Sequence, residues 1–141
     1  MIHGTIRDNI TLFDEKYTAG DIDEAIRQLG LSEWFAKFSG GLDTELEMGE
    51  ANLSSGEAQL IALVRLFIRQ PGLVLLDEIS SNLDPAAEKR VTGALKTLCE
   101  GRTVLAIAHR KEALAWMDTV IHMEDGRIVE SETRKPIYAK K

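Results

Sequence analysis

Apolar and polar positions follow two rhythms along this chain. Up to about residue 70, apolar residues recur at three- and four-residue spacing, the period of amphipathic helices. Between residues 73 and 130, short unbroken apolar runs alternate with helical patterns, which predicts a parallel sheet with crossover helices. In the first part, Asp21-Ile22-Asp23-Glu24 reads as a helix start, with Asp21 as cap and Glu24 reaching back. Ile22, Ala25, Ile26 and Leu29 then share one face, and Gly30 suits the left-handed residue beyond a helix end. Ser32 reads as the cap of a short helix carrying Trp34, Phe35 and Phe38, closed by Gly40-Gly41. A polar loop follows to Asn52. Ser54 and Glu57 have the Ser-x-x-Glu spacing of a capping box. The helix behind them carries Leu60, Ile61, Val64, Phe67 and Ile68 on one side, and Pro71-Gly72 stops it.

The second part opens with Leu73-Val74-Leu75-Leu76. Its lack of polar alternation predicts a strand covered on both faces. The run ends in two acids, Asp77-Glu78. Asp84-Pro85 supplies the N-cap and first residue of the next helix. Val91, Leu95 and Leu98 mark the buried side of that helix, and Gly101 closes it. Residues 103–108 predict a second apolar strand, ending at His109, and residues 111–117 a short helix. Thr119 to Met123 should pair with Ile128-Val129 across Glu124-Asp125-Gly126-Arg127, because Asp-Gly fits a type I′ turn. Neither repeats nor low-complexity segments interrupt this order.

Composition narrows the picture. The chain has 141 residues, 44% hydrophobic and 28% charged, as expected of a single globular domain. With 17 basic against 23 acidic residues its formal charge is −6, which argues against nucleic-acid binding as its main activity. Only the stretch from Arg134 to Lys141 turns basic, the composition of a solvated tail. No apolar run approaches the roughly 20 residues of a membrane span, and Met1-Ile2-His3-Gly4 has no secretory-signal character. Cys99 is the lone cysteine, so an internal disulfide is excluded and a reducing compartment is expected.

Three groups carry candidate chemistry, at strand ends or a helix start, where open α/β folds bind ligands. At a strand end, Asp77 can hold Mg²⁺ while Glu78 orients or deprotonates a water; a solvated strand terminus is the plainer alternative. Ser54-Ser55-Gly56 offers backbone N–H groups, two hydroxyls and a positive helix end to an anion, or serves only as a cap. Glu57 counts against the anion reading, because its carboxylate would lie near a bound phosphate. His109 can hydrogen-bond a phosphate or a water, or be merely structural. His3 and His122 read as structural, and the three histidines show no metal-ligand spacing. Trp34, Phe35, Phe38 and Phe67 read as core, and Cys99 as packed near Leu95 and Leu98.

Taken together, these motifs resemble the nucleotide-binding domain of ABC transporters. Leu53-Ser54-Ser55-Gly56-Glu57 is similar to that family's LSGGQ signature. Leu73 to Glu78 resembles its Walker B strand with the catalytic glutamate, Ser81-Asn82-Leu83-Asp84 its D-loop, and Ala108-His109-Arg110 its switch histidine. Gly4 to Ile10, Gly41 to Thr44, Gly49-Glu50 and Asp125 to Glu130 resemble further segments of exporter-type members, so the likeness reaches almost the whole chain apart from the tail. It implies an α/β fold: a partial P-loop NTPase-like core of parallel strands with a closing hairpin, plus an α-helical subdomain. Residues 1–70 would form the helical subdomain and signature helix, residues 71–130 the Walker B to switch-histidine part of the core, and residues 131–141 a tail.

The resemblance also implies roles. Glu78 and His109 would be catalytic, Asp77 would serve the metal, and Ser81 and Asp84 the D-loop. Ser54, Ser55, Gly56 and Glu57 would face ATP held by a second domain. ATP and Mg²⁺ are the implied cofactors. A second nucleotide-binding domain, paired head to tail, and a transmembrane domain are the implied partners, at the cytoplasmic face of a membrane.

Two departures stand inside the signature: Ser55 replaces a glycine, and Glu57 replaces a neutral glutamine. The sequence contains no GxxxxGK[ST] P-loop; no glycine has another five places on, and no Gly-Lys pair occurs. The likeness is therefore to the C-terminal portion of the domain. The P-loop, the adenine-stacking aromatic and the Q-loop glutamine would lie upstream of Met1, and the sheet would be left with an unfilled face and an exposed edge. The chain alone is expected to hydrolyse little or no ATP. Two alternatives are a non-catalytic partner that offers its signature to another P-loop subunit, and the ATPase lobe of a DNA-repair or chromosome-maintenance protein. The second should carry a long heptad coiled coil before the signature, and residues 4–52 show none.

Overall fold

The computed structural model describes residues 1–46, 53–77, 83–107 and 116–133. In chain order the elements are β1 (Gly4–Thr5), α1 (Ile6–Thr11), α2 (Ala19–Gln28), α3 (Ser32–Phe35), a 3-10 turn (Gly41–Asp43), β2 (Glu45–Leu46), α4 (Ser55–Ile68), β3 (Leu73–Asp77), α5 (Pro85–Cys99), β4 (Thr103–Ile107), β5 (Thr119–Glu124) and β6 (Arg127–Thr133). Of the predicted helix over 111–117, residues 111–115 lie outside the described residues, and Trp116 and Met117 are not helical. The chain divides into two compact units, Met1–Leu105 and Ala106–Lys141. The fold is mixed α/β with small parallel and antiparallel sheets, as the sequence predicted.

Helix starts are where pattern reading and structure differ most. α2 begins at Ala19, two residues before the predicted Asp21. Thr18 is its cap: the Asp21 N–H donates to Thr18 Oγ1 at 3.2 Å, and the Thr18 N–H donates to Asp21 Oδ2 at 2.8 Å. Two overlapping boxes were available, and a hydroxyl can both donate and accept where a carboxylate only accepts. Glu24 is then free to take Arg27 and Gln28 on the helix surface. At the far end Gly30 stands at φ +69°, its N–H bonded to the Arg27 carbonyl and that of Leu31 to Ile26. This is the paired closure of a Schellman motif. Ser32 is not a cap either. It is the first residue of α3, and Leu31 precedes it with no side-chain bond to offer.

Helix α1 was not foreseen, because six residues are too few to show a period. Thr5 and Asp8 form its capping box. Its last carbonyls are taken from outside: Arg65 Nε donates to the Asn9 oxygen at 2.7 Å, while Arg69 donates to Ile10 at 3.0 Å and Thr11 at 2.8 Å. Two guanidiniums, one on α4 and one at its C-cap, thus satisfy carbonyls that a helix end always leaves over. Asn9 is fully buried but satisfied, exchanging bonds with Ile2 and donating to the Thr5 carbonyl.

These ties bring α1, α2, α4 and α5 around one apolar centre. Ile6, Ile10, Ile22, Leu31, Leu60, Ile61, Val64, Val91 and Leu98 are all essentially sealed from solvent. The predicted faces of α2 and α5 are buried as read, including Cys99. Trp34 and Phe35 are buried, with Phe38 and Phe67 only half so. Strand β1 pairs antiparallel with β2, a contact no local pattern announced.

The strand β3 departs from expectation. Val74 and Leu76 are buried, but Leu73 is 55% and Leu75 67% exposed. β3 pairs with β4 in a two-stranded sheet, whose Leu105 and Ile107 are likewise exposed. Only one face is covered among the described residues, so the apolar run alternates in burial although not in composition. The closing hairpin forms as predicted, with Asp125 at φ +48° and Gly126 at +74° and Glu124 facing Arg127. β6 continues to Thr133, and a register shift between His122 and Met123 leaves Val129 as the extra residue.

Candidate functional site

The start of α4 is built as its sequence reads. Ser54 is the N-cap, Ser55 and Gly56 are the first two helical residues, and Glu57 is the third. The Ser54 N–H donates to Glu57 Oε2 at 2.8 Å, and the Glu57 N–H donates to Ser54 Oγ at 3.4 Å. The N–H groups of Ser55 and Gly56 have no acceptor within the helix, as the first turn requires. Ser54 and Ser55 are exposed, while Gly56 is buried.

The burial of Gly56 has a specific cause. A Cβ there would stand 3.0 Å from Ala87 Cβ and 3.1 Å from Leu83 Cδ2. The N-termini of α4 and α5 therefore meet at Gly56, and a residue without a side chain lets the two helices close. Asp84 caps α5, accepting from the Ala86 and Ala87 N–H groups at 2.9 and 3.0 Å. These bonds hold its carboxyl below the usual range, that from Ala87 most strongly. Ser54 to Glu57 and Asp84 thus belong to adjoining helix starts.

Asp77 is the last residue of β3 and is exposed. Among the described residues no group of three or more His, Cys, Asp or Glu gathers around a common point. One accessible carboxylate suits a Mg²⁺ ion that keeps several waters and takes its other ligands from phosphates. Glu78, Ser81 and His109 lie outside the described residues.

One participant was missed in the sequence. Lys37, just beyond α3, forms an ion pair with Glu57 Oε1. Its ammonium lies 4.8 Å from the Trp34 ring centroid and 4.9 Å from that of Phe38. A lysine beside aromatics was the available signal, but its distance of 20 residues from Glu57 hid the pairing. Glu57 was expected to crowd an anion at this helix start. Its carboxylate instead turns back onto Ser54 and Lys37.

Comparison with known proteins identifies the family. The family model for ABC transporters matches residues 2–81. The ABC multidrug transporter MDR1 of Cryptococcus neoformans var. grubii is 38% identical over 142 residues, covering 98% of this chain and 10% of that protein. The probable multidrug resistance ABC transporter ATP-binding/permease protein YheH of Bacillus subtilis is 32% identical, covering 99% of the chain and 21% of YheH. A solved bacterial Atm1-family ABC exporter with ATP bound superposes with a TM-score of 0.79 at 28% identity, over 94% of this chain and 23% of that one. The chain belongs to the ABC transporter family, and its relatives place it in an exporter-type nucleotide-binding domain. It spans between a tenth and a quarter of the length of these relatives.

Proposed function

We propose that this chain acts as the signature-bearing portion of an exporter's ATPase domain, offering the start of α4 to ATP held by the P-loop of a second domain. The observation that carries the reading is the α4 start itself. Its cap is satisfied from within, Gly56 is closed onto α5, and the Ser55 and Gly56 N–H groups are left to an outside acceptor. In this reading Ser54, Ser55, Gly56 and Glu57 form the phosphate-facing turn. Asp77 serves Mg²⁺, Glu78 orients the attacking water, His109 contacts the terminal phosphate, and Ser81 and Asp84 belong to the D-loop between the domains. Bound Mg²⁺ and ATP would supply the neutralised, transferable phosphoryl group.

Residues 1–70 would carry the closing motion to membrane-spanning segments, and residues 71–130 would serve the chemistry, with 131–141 as a tail. The partners are a second nucleotide-binding domain, head to tail, and a transmembrane domain, at the cytoplasmic face of a membrane. No described helix is long and apolar enough to cross a membrane.

Phosphate release with Mg·ATP tests the reading. The purified chain alone should stay at the background rate, and Glu78→Gln should change nothing. In the assembled transporter the same substitution should abolish turnover. Turnover at an ordinary enzymatic rate by the chain alone, lost in Glu78→Gln, would overturn the requirement for a P-loop from elsewhere.

A further inference from the structure

A glutamate at the third residue of a phosphate-facing helix start poses an electrostatic problem. Its charge repels the anion that the helix dipole and the first N–H groups attract. The arrangement around Glu57 answers it. One carboxylate oxygen accepts from the Ser54 N–H at 2.8 Å and from Ser54 Oγ at 3.1 Å; the other meets Lys37. Both oxygens are thus drawn to named donors. Lys37 is itself held between aromatic faces, and Trp34 and Phe38 stand edge to face with centroids 5.2 Å apart. Cation–π attraction fixes a side chain that would otherwise sample many rotamers. The Lys37 side chain keeps 43% of its surface exposed and that of Glu57 22%, so the carboxylate is the more enclosed of the two.

We propose that Lys37 is a positioning residue for the signature. It pins the Glu57 carboxylate back onto the cap and neutralises it there, which leaves the Ser55 and Gly56 N–H groups open to a nucleotide phosphate. Lys37 acts through Glu57 and does not touch the phosphate. The inference rests on the reading that this helix start receives nucleotide. With Lys37 in place, a signature with an acid in place of a neutral amide remains usable.

The test uses the intact chain, with inorganic triphosphate as the probe and the amide resonances of Ser55 and Gly56 as the readout. Four proteins are compared: wild type, Lys37→Met, Glu57→Gln and the double variant. The amide spectrum verifies the fold of each. The Glu57 carboxyl is followed separately by carbon-detected titration. Lys37→Met should make that carboxyl titrate at higher pH, and should weaken triphosphate binding about tenfold, the scale of one uncompensated charge a few ångströms away. With Gln at position 57 the same lysine change should cost little, and Lys37→Arg should restore the wild-type behaviour. An unmoved Glu57 titration, or an equal loss in both backgrounds, overturns the proposal and leaves the wider reading standing. A shifted Glu57 titration with no saturable shift at Ser55 or Gly56 in any of the four overturns the proposal, while the wider reading stands or falls on the phosphate-release test.

Discussion

Two glycines on adjacent helices show how little a residue type means without its surroundings. Gly56 sits where an added Cβ would strike Ala87 on α5, and a helix backbone cannot yield as a side-chain tip can. Gly56→Ala should therefore destabilise the chain by about 1 kcal/mol despite the better helix propensity of alanine. Gly93 lies mid-way along α5, exposed, with nothing within 4 Å of its Cβ position. Gly93→Ala should stabilise by about 0.5–1 kcal/mol, because only the backbone-entropy term remains. Urea unfolding of both variants checks the opposite signs. Asn9 gives the polar counterpart. Asn9 is fully buried and its three bonds to Ile2 and Thr5 are part-buried, so Asn9→Leu should cost about 1–2 kcal/mol by leaving those backbone groups without their partner.

At the scale of elements, the helices are held by their ends. Asp8 is lowered chiefly by the Thr5 N–H, Asp21 by the Thr18 hydroxyl, and Asp84 by the Ala87 N–H. A carboxyl depressed on folding contributes stability in full above its unfolded pKa, about 3.9. That contribution disappears as pH falls through the lower folded value. Helicity should therefore fall away below about pH 4. Asp84→Asn keeps an acceptor but cannot titrate, so the variant should be less stable than wild type at pH 7 and the gap should close toward acid. Circular dichroism across pH with thermal melts reads both. Arg69 belongs to the same scale, because it satisfies the Ile10 and Thr11 carbonyls from the C-cap of α4. Arg69→Met should lower hydrogen-exchange protection in α1 more than in α5.

For the whole molecule, the side of β3 and β4 left bare among the described residues sets the behaviour. Leu73, Leu75 and Leu105 present an apolar surface of a kind that drives association. Sedimentation should show concentration-dependent self-association of the isolated chain, reduced by combining Leu75→Lys with Leu105→Glu.

Much of the architecture was legible in the sequence, and the parts that were not share a cause. The α4 capping box, the Asp84-Pro85 helix start, the buried faces of α2 and α5 and the Asp-Gly hairpin were all readable, because each depends on residues within about four positions of one another. The family likeness was readable too, from the ordered motifs between Leu53 and Arg110. The choice of Thr18 over Asp21 was not, because two local signals competed. The exposure of Leu73 and Leu75 depends on which elements cover a strand, and an apolar run carries no record of that. The β1–β2 pairing, the Arg65 and Arg69 bonds to α1 and the Lys37–Glu57 contact join residues far apart in sequence. By itself the sequence determined the starts of α4 and α5, the hairpin and the motifs, whose physics is local. Only the tertiary structure decided that Gly56 is a contact between helices and that Glu57 pairs with Lys37, because burial and long-range charge pairing exist only once the chain has closed on itself.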